Sequence, residues 1–75
     1  MLNEHETQLI LEKFFTECFK YWESTGCDER KAFELAIEDI KAMKHNPYTP
    51  KGELLDTKTK ENFIHYREMD LGGRK

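Results

Sequence analysis

The reading of this chain turns on residues 10–22, Ile-Leu-Glu-Lys-Phe-Phe-Thr-Glu-Cys-Phe-Lys-Tyr-Trp. At 100° per residue, Ile10, Leu11, Phe14, Phe15, Cys18, Phe19, Tyr21 and Trp22 fall on one half of a helical wheel. Glu12, Lys13, Thr16, Lys20 and Glu23 fall on the other. Asn3 followed by Glu6 fits an N-cap with a carboxylate reaching back, and Gly26 is a good stop. The spacing predicts a first helix over about 4–25.

The apolar arc of that helix is about 180° wide, against roughly 100° for a helix docked on one core. Five of the chain's nine aromatic residues stand on it. That width predicts two contacting surfaces, one inside the subunit and one on a partner. Trp, Tyr and Phe are enriched at interface centres. Leu11, Phe14, Phe15, Phe19, Tyr21 and Trp22 are therefore the candidate protein interface.

Working outward, Ala32, Phe33, Ala36, Ile37, Ile40 and Met43 make a second stripe, predicting a helix over about 28–44 capped by Asp28 or Cys27. The small side chains of Ala32 and Ala36 allow a neighbouring helix to approach closely. The short link around Gly26 and Cys27 has the length of an antiparallel helix hairpin. His45-Asn46-Pro47-Tyr48-Thr49-Pro50 then holds both prolines and must end the second helix near Asn46. Thr49-Pro50 followed by Glu53 reads as a further helix start, with one turn over 51–56 that Gly52 weakens. Phe63-Ile64-His65-Tyr66 suits a helix or a short strand; a helix over about 59–70 is preferred because no partner strand is evident. The expected fold is all-α: an antiparallel hairpin with a short C-terminal helix across it, one domain over 1–71 and a flexible tail over 72–75.

Size and charge narrow the function. A 75-residue chain buries only about 60% of its unfolded surface, so domains of this size lean on disulfides, a metal or a second subunit. Cys18 and Cys27 are the only cysteines. Met1–Lys13 has neither a basic nor an apolar signal region, which predicts a cytoplasmic chain with reduced thiols. A rise of roughly 1.5 Å per residue also puts mid-helix Cys18 too far from Cys27 to bridge. His5, His45, His65 and the cysteines show no metal-ligand spacing, so no metal or cofactor is expected. Glu34 and Glu38 have no pocket to raise a pKa, and Cys27 has acidic neighbours in Asp28 and Glu29, so no enzyme is expected.

The formal charge is -3, built from -3 over 1–26, -1 over 27–46 and +1 over 47–75. Lys58, Lys60, Arg67, Arg74 and Lys75 beside Tyr48, Phe63 and Tyr66 make nucleic-acid contact by the last segment the alternative. Thr57–Asn62 would then lead a recognition helix. Interleaved acids disfavour it. The expectation is a small acidic interaction module: a homodimer through helix one, or a regulator or inhibitor docked on a larger protein. The profile suits an accessory protein of a bacterium or its phage. Glu12, Glu17 and Glu23 on the back of helix one offer carboxylates to a basic partner. No membrane contact and no small-molecule substrate are expected.

Overall fold

A computed structural model describes residues 1–73. It holds α1 (Glu4–Ser24), α2 (Glu29–Ala42) and α3 (Thr57–Gly73), with no strand longer than an isolated bridge among the described residues. The all-α hairpin with a third helix across it is the fold.

Local chemistry sets the hairpin. The Asn3 side chain accepts from the Glu6 amide at 2.7 Å, and the Glu6 carboxylate accepts from the Asn3 amide, a reciprocal cap. At the other end Gly26 takes φ +100°, the Gly26 amide donates to Glu23 and the Cys27 amide to Trp22. This pair of bonds ends a helix on a left-handed residue, a conformation that costs glycine little. Asp28 then caps α2 by accepting from the Lys31 amide at 2.7 Å.

Packing follows the apolar stripes. Leu11, Phe15, Ala32, Phe33, Ala36, Ile37, Ile40, Leu55 and Phe63 form the core. The Phe15 ring is its hub, edge-on to Phe33 at 5.1 Å and to Phe63 at 6.0 Å. Thr7 is fully buried in α1, and its hydroxyl accepts from the Asp56 amide.

The second helix ends at Ala42, within two residues of its expected end and before the prolines, where Lys44–Asn46 turn back to pair with Glu53–Leu55. Two expectations need correction. The predicted helical turn over 51–56 is absent: Gly52 takes φ +57° and the segment returns as one side of a short antiparallel pairing. Leu2 joins it through its amide on the Leu54 carbonyl. The Thr49 hydroxyl, expected to cap a helix, instead binds the Glu53 carboxylate.

The third helix starts at Thr57 and runs to Gly73, so Gly72 and Gly73 of the expected tail are helical. Arg74 and Lys75 lie outside the described residues. Asp56 caps this helix, accepting from both the amide and the hydroxyl of Thr59. Its inner face carries Thr59, Phe63 and the half-buried Lys60, Ile64, Arg67 and Leu71. Polar groups on that face hide the helical period.

Candidate interaction surface

The aromatic arc of α1 divides into three parts. Leu11 (0% exposed) and Phe15 (8%) are core and have no surface to offer, which removes them from the expected interface. Phe14, Phe19 and Trp22 are half-buried. Tyr21 alone stands out, at 59% exposed. The arc exceeds one partner helix, as its width implies, but α2, α3 and the proline loop of the same chain cover most of it.

One flank is closed by the proline loop. The Tyr48 hydroxyl donates to Glu17 at 2.7 Å, and the Lys13 ammonium lies 4.3 Å from the Tyr48 ring centre. Burial, then the Glu17 carboxylate, pushes the Tyr48 phenol up. The loop is held in shape by Asn46, which accepts from the Tyr48 amide and donates to Glu53. Those bonds from Asn46 and Thr49 hold the Glu53 carboxyl below its ordinary value.

The opposite flank is open. Between α1 and α2 lies a shallow groove of about 250 Å³, floored by Phe15, Phe19 and Phe33 and rimmed by Thr16, Lys20 and Glu23. Phe19 supplies most of the reachable ring surface, since Phe15 and Phe33 are buried. It packs edge-on to Phe33 at 6.3 Å. The groove thus has an apolar floor with one cation and one anion on its rim.

The α1–α2 seam also holds a polar cluster that spacing did not reveal. The Trp22 indole donates to Asp39 at 2.9 Å. Burial, then the Asp39 carboxylate, pushes the Cys18 thiol up to about 12. Cys18 is therefore a neutral thiol at neutral pH. Asp39 sits one helical turn beyond the Phe33–Ala36–Ile37 stripe, so only the facing Trp22 and Cys18 mark it as structural. Both cysteines are free.

Of the described members of the basic C-terminal set, Lys58 stands apart from Lys60 and Arg67, which lie on the inner face. Lys58 is exposed. Lys60 instead donates to the Lys41 carbonyl at 2.9 Å, completing the end of α2. Burial and the nearby Lys44 lower its pKa. Arg67 lies against Phe15 and Phe63, its guanidinium carbon 5.2 Å and 4.6 Å from their ring centres. Arg74 and Lys75 of that set are outside the described residues. Lys41, which the basic set left out, pairs with Glu68 at 3.1 Å, and that carboxylate raises its pKa.

Among the described residues no group of three or more His, Cys, Asp or Glu side chains is placed to hold a metal ion, and no helix is long and apolar enough to cross a membrane. Comparison with protein families, with curated sequences and with solved structures finds no match to this chain.

Proposed function

We propose that this chain is a non-enzymatic, cytoplasmic protein-interaction module that binds through the open flank of α1. The observation carrying this reading is the groove floored by Phe19: with the exposed Tyr21, it is what the chain's own loop and third helix leave uncovered of the aromatic arc. A groove of about 250 Å³ takes one or two apolar side chains of a partner. Lys20 and Glu23 on the rim orient that partner by charge. The spot is small beside the roughly 1,200–2,000 Å² buried in stable complexes, which favours docking on a larger protein over a tight homodimer. The raised pKa of Cys18 and the structural use of Asp39 support a role without catalysis.

The test compares wild type with Phe19→Glu, a change at the groove that leaves the core hub Phe15 in place. In-cell cross-linking at position 20 is expected to trap a discrete protein partner with wild type and lose it with Phe19→Glu. Sedimentation velocity of the two proteins separates a heterologous partner from a second copy. A wild-type monomer whose cross-linking pattern is unchanged by Phe19→Glu would remove the groove as the functional surface.

A further inference from the structure

A second concavity, distinct from the Phe19 groove, lies between α1 and α3. It is about 440 Å³ and is lined by Glu4, Gln8 and Glu12 from α1 and by Asn62, Tyr66 and Arg67 among the residues of α3. Its floor is unusual. The Arg67 guanidinium rests on the Phe15 and Phe63 rings, and its Nε atom has no solvent-accessible surface and no hydrogen-bond partner. No ion pair to Arg67 occurs among the described residues. A guanidinium offers a rigid fork of donors matched to a carboxylate, and a buried donor without an acceptor is costly. The two rings repay part of that cost and fix the fork in place. They do not supply an acceptor.

The surroundings select the ligand. Glu4 and Glu12 are exposed on the same cleft, so it is positive at depth and negative at the rim. A purely anionic ligand is repelled on entry; a carboxylate with a cation beside it satisfies both layers. The length selects further. Glu4, Gln8 and Glu12 are one helical turn apart, a span of roughly 12 Å. That exceeds one free amino acid and equals about four residues of extended chain at roughly 3.3 Å each. The exposed Asn62 amide can meet a backbone, and Tyr66, at 66% exposed, offers a ring to an aliphatic stem.

We infer that this cleft binds an extended peptide segment of a partner protein, an acidic side chain taking the Arg67 fork and flanking Lys or Arg residues meeting Glu4 and Glu12. The site is separate from the Phe19 groove, although Phe15 lies under both.

The probe is the blocked tetrapeptide acetyl-Lys-Glu-Lys-Ala-amide, titrated into ¹⁵N-labelled protein. The expected result is a saturable shift of the Arg67 Nε–H signal and of amides over 4–12 and 59–67. Acetyl-Lys-Gln-Lys-Ala-amide should bind at least about tenfold more weakly, since it lacks the charged acceptor. Arg67→Lys should cause a similar loss, with unchanged α1 and α2 amide signals showing that the hairpin is intact. Glu4→Gln with Glu12→Gln should also weaken binding while leaving Arg67 and its rings untouched. Phe19→Glu should leave the titration unchanged, so this inference and the groove reading fail separately. Three results would overturn it: no saturable shift, equal saturation by acetate or free lysine, or a shift of Arg67 Nε–H on Glu12→Gln alone, which would show the fork already paired within the chain.

Discussion

The two flanks of the α1 arc meet different fates. On one flank Tyr48 closes over the helix, tied to Glu17 and stacked under Lys13. On the other, Phe19 lines a groove that no segment of the chain fills. An aromatic arc therefore does not say by itself whether it is core or interface. The chain's own loops decide, and what they leave open is the surface available to a partner.

Paired truncations break this comparison if it is wrong. Phe15→Ala removes the ring that touches Phe19, Phe33 and Phe63 and should cost about 3–5 kcal/mol. Phe19→Ala, on the open flank, should cost less, about 2 kcal/mol, because its ring is half-buried rather than buried. Urea titrations of the two variants check the pair, and equal costs would mean that the groove is as well packed as the core. Next in size is Cys18. With its thiol raised to about 12, its reaction with a disulfide reagent at pH 8 should run more than about a hundredfold slower than that of an unperturbed thiol. Mass spectrometry of partly labelled protein reads this directly.

How much of this was legible follows from which residues face inward. The hairpin could be read because Leu11, Phe15, Ala32, Ala36 and Ile40 are apolar and recur every three or four residues. The reciprocal Asn3–Glu6 cap and the Gly26 stop are equally local and equally visible. α3 was placed only approximately, because its inner face includes Thr59, Lys60 and Arg67. Thr59 bonds to Asp56, Lys60 to the Lys41 carbonyl, and Arg67 lies on two phenylalanine rings, so polar side chains occupy an inward face. The Tyr48 cover was hidden too. Its partner Glu17 is 31 residues away, and nothing in the spacing announces the pair. The candidate interface was too broad in its membership, including Leu11 and Phe15, which the core consumes.

Smaller changes sharpen the contrast. Tyr48→Phe keeps the ring over Lys13 but deletes the bond to Glu17, and should cost about 0.5–1.5 kcal/mol. Exchange of the Asn46 and Tyr48 loop amides should rise while the Phe19 groove is unaffected. The smallest effect is on the loop itself. The Glu53 carboxyl lies below its unfolded value, so its contribution is present above the ordinary carboxylate range and is lost as pH falls through the folded value. Asn46 side-chain and Tyr48 amide signals should loosen at low pH before the helices do, and Glu53→Gln should remove that step.

The measurement closest to the central claim is solvent exposure of the five phenylalanines, read ring by ring with 4-fluorophenylalanine and a soluble paramagnetic agent at low protein concentration. The account predicts clear broadening at the half-buried Phe19 and Phe14, and little at Phe15, Phe33 and Phe63. A Phe19 ring as protected as Phe15 in the dilute monomer would mean that α1 has no open flank to offer.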